Sequence, residues 1–321
     1  MGISESPQVK TYRSGQPDDV FICCASFEER CLGTLRRFDN YQYNQGYVFV
    51  YDEPDERREH HLQEMERILR STGPFRRISA SENNPVPSIA QLGQELRQLN
   101  LIPANSIITL DITTFTKRHL LLLLMHLDQL GFWKALRLFY TEPEDYVTNL
   151  YLPMSIGLRQ IKPILGFVNT QCLNKPSLLV IFLGYEGDRA MALFNNQDPN
   201  EILLIVPKPA YHKEWEGRTE QMNRDLITLI GEEKIKYAHS QNPQEVALAL
   251  SDLLGGNGEY NLEDWKCTIS PLGTKPQAVG LYLFWRKYPG QFSIVYAQPR
   301  KHNEPFYSTG VGKTCLLLTP D

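Results

Sequence analysis

The sequence predicts an α/β protein of two tandem domains, each a mostly parallel sheet of about five strands with helices on both faces. Short apolar runs alternate with helical stretches, which is typical of βα units. The same alternation occurs twice along the chain. A chain of 321 residues is also long enough for two domains of ordinary size.

The first half alternates strands and helices from its first buried run onward. The predicted strands are apolar runs of strand length, at 20–25, 47–51, 75–79, 107–111 and 135–140. The predicted helices between them include an amphipathic one at 55–69, one at 88–99 and a nearly all-apolar one after residue 117. This order predicts a mostly parallel sheet.

The most informative junction of the first half is the turn between a buried strand and the apolar helix. The strand ends at Asp111, and a polar turn follows that contains Thr113, Thr114, Thr116 and Lys117. Ligands of open α/β sheets bind at this edge, and the free N–H groups of a helix start favour an anion. We therefore expect Lys117 and the threonine hydroxyls to lie at an anion-binding opening.

A second copy of this junction lies at residues 266–285. Thr116 and Lys117 correspond to Thr274 and Lys275, an offset of 158 residues (275 − 117). Gly273 precedes them and permits a close approach of a ligand or backbone. We predict ligand contact for Lys275, whereas for Lys117 the ligand and structural interpretations both stay open.

The other landmarks of the two halves keep nearly the same offset. Arg30 corresponds to Arg189 (189 − 30 = 159), and Tyr140 corresponds to Tyr296 (296 − 140 = 156). A repeated order of elements with matching turn residues predicts internal duplication of one Rossmann-like domain. The predicted divisions are a flexible tail (1–17), a first domain (18–146), a connector (147–176) and a second domain (177–321).

An aromatic residue, a glutamate and an arginine recur in the turn after the first strand of each half. Glu28 and Arg30 form this turn in the first half, and Tyr185, Glu186 and Arg189 form it in the second. The planar guanidinium suits a phosphate or a carboxylate. Two interpretations stay open: the arginine holds the phosphate of a ligand, or an Arg–Glu pair locks the turn.

A third repeated turn follows the last strand of each half, and one further motif resembles a phosphate-binding loop. The turns at 140–143 and 296–299 are predicted to close the sheets rigidly. The stretch 310–314 ends in Gly-Lys-Thr, but Tyr307 occupies the position of the first glycine of a P-loop. We therefore predict a loop that leads into a terminal strand at 315–318, with Lys313 near the ligand edge.

Composition excludes several functional classes. The net charge is −4, so binding to duplex nucleic acid is not expected. No apolar run reaches about 18 residues, so no membrane span is expected. The six cysteines form no CxxC pair, which predicts buried thiols in a reducing cytoplasm and no metal site. Neither a cofactor motif nor a nucleophile–base pair is recognisable, and enzymatic activity stays open.

The turn Gly273-Thr274-Lys275-Pro276 resembles that of sensor domains from prokaryotic antiviral systems. These are the CRISPR-associated Rossmann-fold (CARF) domains and the SAVED domains, which look like two such domains fused. The likeness extends over most of residues 18–321. It implies a cyclic oligonucleotide bound across the interface of the two halves, with the Thr-Lys turns at its phosphates. The first half departs from this pattern, because Phe115 and Arg118 replace the glycine and the proline.

Three functional hypotheses follow. The first is a sensor or regulatory subunit of an antiviral defence system that binds an anionic nucleotide and acts through a separate effector protein or self-association. The second is a nucleotide-processing enzyme, either a phosphodiesterase that opens a cyclic ligand or a glycosidase that uses Glu28 or Glu186. The third is a scaffold subunit of a defence complex whose sites no longer work.

Overall fold

The protein contains two compact α/β units. The computed structural model describes residues 17–37, 41–53, 55–146, 153–169 and 174–318. Contacts within the chain assign Met1–Val147 and Ser308–Asp321 to a first unit, and Thr148–Tyr307 to a second unit. Of the predicted tail, all but Pro17 lies outside the described residues.

The elements of the chain follow the predicted alternation. The first unit contains β1 (Asp18–Cys24), a 3-10 turn (Glu29–Leu32), α1 (Gly33–Arg37), β2 (Tyr43–Tyr51), α2 (Glu56–Thr72), β3 (Phe75–Ala80), α3 (Val86–Gln98), β4 (Ile108–Asp111), α4 (Lys117–Gln129), β5 (Leu136–Thr141) and β6 (Asp145–Tyr146). The second contains β7 (Ser155–Pro163), β8 (Ser177–Phe182), α5 (Gly187–Gln197), β9 (Glu201–Pro207), α6 (Arg218–Met222), α7 (Arg224–Ile230), β10 (Ile235–Ala238), α8 (Pro243–Leu254), β11 (Lys266–Pro271), α9 (Lys275–Lys287) and β12 (Ser293–His302). The last two strands, β13 (Ser308–Thr309) and β14 (Thr314–Leu318), return to the first unit.

The two main sheets have the same strand order. The first is β14-β5-β4-β1-β2-β3, and the second, taken in the matching direction, is β7-β12-β11-β8-β9-β10. Five strands of each sheet are parallel, and the sixth is an antiparallel edge strand on β5 or β12. The predicted pair of Rossmann-like domains is thus confirmed, with one strand more in each sheet than expected.

The antiparallel edge strands pair in the same register in both units. In the first unit, Cys315 of β14 lies opposite Tyr140 of β5. In the second, Lys162 of β7 lies opposite Tyr296 of β12. These positions differ by 153 residues for the edge strands (315 − 162) and 156 for their partners (296 − 140). Thus β7, which comes after β5 in the chain, completes the second sheet, and β14, which comes after β12, completes the first.

This strand exchange corrects the predicted domain boundaries. The sequence predicted a connector at 147–176, but β7 lies within it and belongs to the second sheet. The sequence also predicted that the second domain continues to residue 321, whereas β14 belongs to the first sheet. The predictions differ because the choice of partner by an edge strand depends on distant residues and leaves no local pattern.

The helices α4 and α9, which follow β4 and β11, are buried on almost all sides, and this burial fixes their N-terminal turns in place. In α4 the buried residues include Leu120, Leu121, Leu122, Leu123, Leu124 and Leu127. In α9, Gly280 packs so closely against α8 that a Cβ atom there would lie 2.5 Å from Cβ of Val246. Full burial of each leucine contributes about 1.5–3 kcal/mol relative to exposure. The turns at the starts of α4 and α9 are therefore held by well-packed helices.

Candidate functional site

The candidate site in each unit is the switch point of the sheet, where the connections leave in opposite directions. This point lies between β1 and β4 in the first unit and between β8 and β11 in the second. The turns that follow these strands touch. The Thr114 hydroxyl donates to the carbonyl of Cys24 at 2.6 Å. Gly184 approaches the carbonyl of Leu272 so closely that a Cβ atom would lie 2.5 Å from its oxygen.

In the first unit, Thr116 is the N-cap of α4. Its hydroxyl oxygen accepts a hydrogen bond from the backbone N–H of His119 at 3.3 Å, and its own N–H donates to the Tyr51 hydroxyl at 3.0 Å. Burial lowers the pKa of His119 to about 3, so its imidazole is neutral at ordinary pH. Lys117 is the first residue of the helix and is half-buried.

In the second unit, Thr274 caps α9 by a capping box. The Thr274 hydroxyl accepts from the N–H of Gln277 at 3.2 Å, and the N–H of Thr274 donates to the Gln277 side chain at 3.0 Å. A Cβ atom at Gly273 would collide with the Gln277 side-chain oxygen. The glycine therefore lets the box close, and half-buried Lys275 begins the helix.

Thr113 lies inside the first unit and not at the predicted opening. Its exposed fraction is 0%. Its N–H and hydroxyl donate to the Asp111 carboxylate, and its hydroxyl oxygen accepts from the N–H of Thr141 at 2.9 Å. The side chain thus joins β4 to β5, which is a structural role that the sequence does not distinguish from ligand contact.

The Glu–Arg turn of the first unit is a buried lock. Arg30 is 2% exposed and donates to both carboxylate oxygens of Glu28, at 2.8 and 3.0 Å. It also donates to the Tyr140 hydroxyl at 3.0 Å and to the carbonyl of Thr141 at 3.2 Å. The hydroxyl of Ser308 donates to Glu28. Arg30 therefore ties the first turn to the end of β5 and to the returning C-terminal segment.

The second unit repeats this lock with equivalent residues. Arg189 pairs with Glu186, donates to the carbonyl of Ala297 at 3.0 Å and lies over the Tyr296 ring at 5.2 Å. The hydroxyl of Ser155 donates to Glu186. Ser155 corresponds to Ser308 with the offset of the exchanged strands (308 − 155 = 153). Of the two interpretations that the sequence left open, the geometry in both units is that of the locked turn.

Sequence reasoning missed the two serines of these locks. Ser155 precedes the exposed part of β7, and Ser308 begins the short β13. Ser155 and Ser308 lie 153 residues apart (308 − 155), and each bonds the glutamate of its own unit. Only the repeat offset of 153 could have found them, once the landmark residues had been aligned.

The turns after the fifth strands contain a difference between the units. Glu142 is 3% exposed, and burial raises its pKa to about 7, opposed by Lys313, Arg37 and Arg30. The equivalent residue of the second unit is neutral Gln298 (298 − 142 = 156), which accepts from the Gln160 side chain at 2.8 Å. The terminal strand predicted after 310–314 is present as β14.

The second unit has a cleft of about 460 Å³ beside the start of α5. Three residues predicted from the sequence line it: Tyr185, Glu186 and Arg189. The other walls come from β7 and from the segment joining α6 and α7, which contributes Met222 and Arg224. The cleft therefore opens beside the switch point, with the buried Glu–Arg lock at one of its walls.

The first unit has a different kind of cleft, at the carboxyl end of β2. It measures about 380 Å³ and is lined mainly by carboxylates, those of Asp52, Glu53, Asp55, Glu56 and Glu59. Tyr51 also lines it, and its hydroxyl bonds the turn that begins α4. Arg58 also lines the cleft, but the five carboxylates outnumber it, so this surface repels a phosphate and the second unit is the better candidate for an anion.

A loop that the sequence interpretation passed over also borders the second switch point. It joins β9 to α6 and contains Tyr211 and Trp215. The Tyr211 hydroxyl donates to the carbonyl of Ser240 at 3.3 Å, and the Thr274 hydroxyl donates to the same carbonyl at 2.6 Å. The signal that could have found it is the mixture of aromatic and basic residues at 211–218.

Three further properties of the described part of the chain bear on function. No group of three or more His, Cys, Asp or Glu residues there could hold a metal ion. No helix among these residues is sufficiently long and apolar to traverse a lipid bilayer. Burial raises the pKa of Cys31 to about 12 and that of Cys315 to about 11, so these thiols are unreactive.

Comparisons with known proteins find a likeness in solved structures and none in sequence. No protein-family model matches the chain, and no curated protein sequence matches it. Among solved structures, the chain is similar to a type III CRISPR defence DNA nuclease activated by cyclic oligoadenylate, with a TM-score of 0.49 and 11% identity. The match covers 83% of this chain and 64% of the nuclease, so the chain spans less than two thirds of that protein's length.

Proposed function

We propose that the protein binds an anionic nucleotide as a sensor or regulatory subunit of an antiviral defence system, and that cyclic oligonucleotides are the ligand class to test first. One observation carries the proposal. At the switch point of each sheet, a threonine N-cap and a lysine open a buried 13-residue helix. A phosphate at such a helix start is stabilised by the helix dipole and by the positive charge of the lysine.

The second unit supplies the stronger part of this proposed site. Thr274 and Lys275 lie beside the turn of Gly184 and Tyr185, with which the backbone at Leu272 is in close contact. In the first unit, the Thr116–Lys117 turn is linked through Tyr51 to a cleft lined by carboxylates. We therefore propose that Lys275 contributes more to binding than Lys117.

The nucleotide-processing alternative makes a different use of Glu28 and Glu186. A catalytic carboxylate must reach the substrate, whereas Glu28 is 5% exposed and both of its oxygens accept from Arg30. Glu186 lines the cleft of about 460 Å³, but one of its oxygens pairs with Arg189 and the other accepts from the Ser155 hydroxyl. This geometry favours binding over turnover. A sensor would then act on an effector protein or through self-association.

The test is calorimetric titration of the full chain with a panel of cyclic oligoadenylates and cyclic dinucleotides. We expect one class to bind and the double variant Lys117→Ala/Lys275→Ala to lose that binding, with Lys275→Ala accounting for most of the loss. Each lost charge-assisted contact corresponds to about 1.5–3 kcal/mol, or roughly tenfold to a hundredfold in affinity.

The matched control is Lys134→Ala/Lys287→Ala, which removes two exposed lysines far from the switch points. Lys287 ends the helix that Lys275 begins. The control should bind as the wild type does. Flat heats for every ligand contradict the proposal and favour the scaffold alternative. Chromatography of the ligands after incubation tests the nucleotide-processing alternative, because a cleaved or deglycosylated product would indicate an enzyme.

A further inference from the structure

The β9–α6 loop, residues 208–217 together with Arg218, borders the second switch point on two sides. On one side, the Tyr211 hydroxyl and the Thr274 hydroxyl donate to the same carbonyl, that of Ser240, at 3.3 and 2.6 Å. Two donors on one oxygen must lie near each other. Tyr211 is therefore a neighbour of the turn that carries Lys275.

On the other side, the loop holds Tyr185. The Arg218 guanidinium lies 5.0 Å from the centre of the Tyr185 ring and 5.9 Å from the centre of the Trp215 ring. Trp215 is 5% exposed, so it is a fixed support for the arginine. Such cation–π contacts restrict the orientation of the tyrosine. Tyr185 in turn follows Gly184, which lies against the Leu272 carbonyl.

The two tyrosines retain surface that a ligand can contact. Tyr185 and Tyr211 are both partly exposed, and Tyr185 lines the cleft of about 460 Å³. Aromatic faces beside a cationic, phosphate-binding turn are the combination by which proteins hold nucleotides, with bases stacked on rings and phosphates on N–H groups and cations. The equivalent turn of the first unit carries Phe27, and the cleft of that unit, at the end of β2, is lined mainly by carboxylates.

We propose that Tyr185 and Tyr211, positioned by Arg218 and by the Ser240 carbonyl, form the base-binding wall of the second unit, and that the site selects ligands carrying a nucleobase over phosphates without one. This inference rests on the proposed function and assigns it further residues. The phosphate lies at the Thr274–Lys275 turn, and a base stacks on the tyrosine rings.

The experiment compares two probes on the full chain: the cyclic oligoadenylate that binds best, and inorganic triphosphate. Tyr185→Leu and Tyr211→Leu keep apolar bulk but remove the aromatic face. We expect each to weaken the oligoadenylate by about tenfold or more, since stacking on an aromatic ring has an effect of that size. Neither should change the affinity for triphosphate, whereas Lys275→Ala should weaken both probes.

Two controls guard against loss of folding. Tyr211→Phe keeps the ring but removes the hydroxyl that bonds the Ser240 carbonyl, and it should bind the oligoadenylate more tightly than Tyr211→Leu does. Tyr288→Leu changes a half-buried tyrosine at the opposite end of α9 and should leave binding unchanged. Thermal unfolding of each variant is measured in parallel.

The outcomes separate the two proposals. If Lys275→Ala weakens the oligoadenylate while both leucine variants bind it as tightly as the wild type, the base-binding wall is overturned and the proposed function stands. The wall is also overturned if the leucine variants weaken triphosphate equally. If the wild type binds no member of the nucleotide panel, both proposals fall.

Discussion

At the scale of single residues, the most informative feature is the duplicated lock of glutamate, arginine, tyrosine and serine. Arg30 joins Glu28 to the end of β5, and Arg189 joins Glu186 to the end of β12. A buried ion pair of this kind is costly to break, by about 3–5 kcal/mol when one partner is removed. The arginines therefore hold the turns that follow β1 and β8.

Glu142 gives a prediction for the dependence of stability on pH. Burial raises its pKa from 4.5 to about 7 in the folded protein. The stability associated with the neutral carboxyl is fully present below pH 4.5 and is lost as pH rises through about 7. Glu142→Gln, which copies Gln298 of the second unit, should stabilise the protein at pH 8 by about 3 kcal/mol, since one pKa unit corresponds to about 1.4 kcal/mol.

The measurement is urea unfolding of wild type and variant at pH 4 and pH 8, monitored by a signal that reports unfolding of the first unit. The stability difference should be small at pH 4 and should favour the glutamine at pH 8. Exposed Glu144→Gln is the control for the loss of a nearby carboxylate. A variant that is equally or less stable at pH 8 would show that Glu142 is not held in a charge-disfavouring environment.

At the scale of elements, the edge strand β14 completes the first sheet from the far end of the chain. It pairs with β5, and Arg37 donates to the Thr314 hydroxyl at 2.9 Å and to the carbonyl of Gly312. The segment before it supplies Ser308 to Glu28. In the second sheet the edge strand is β7, which precedes the other strands of that sheet in the chain and pairs with β12 in the same register.

Removal of residues 308–321 should therefore destabilise the first unit selectively. Each lost hydrogen bond costs about 0.5–1.5 kcal/mol, and the truncation removes the β5 ladder together with the contacts of Arg37 and Glu28. Amide exchange of peptides from β5 should accelerate strongly, while exchange in β12 should change little. A synthetic peptide of residues 308–321 should restore protection in β5, and a chain shortened only by residues 319–321 is the control. Equal acceleration in both strands would contradict the assignment.

Much of the architecture could be predicted from the sequence because βα units have a local pattern. The apolar run before Asp111, the Thr-Lys turn and the apolar helix after it are contiguous in the chain. The partner choice of β7 and β14 could not be predicted, because an edge strand contains no signal for which sheet it joins. The role of Arg30 was also undecidable from sequence, since its partners Tyr140 and Thr141 lie about 110 residues away.

At the scale of the whole molecule, the chain consists of two copies of one α/β unit that have diverged in their surfaces. The shared strand order, the equal registers of β7 and β14 and the repeated lock support duplication at three independent levels. The surfaces near the switch points differ. Carboxylates line the cleft that contains Tyr51, whereas in the second unit Tyr211 bonds the same carbonyl as Thr274, and Arg218 lies over Tyr185. We therefore expect unequal contributions from the two units.

The central claim is that the Thr-Lys helix starts bind the phosphates of a nucleotide. Amide hydrogen exchange of the full chain, with and without a saturating cyclic oligoadenylate, tests it most directly. The N–H of Lys275 and the neighbouring amides that begin α9 should exchange more slowly when the ligand binds, with a smaller effect at the start of α4. Unchanged exchange at both helix starts in the presence of bound ligand would contradict the account.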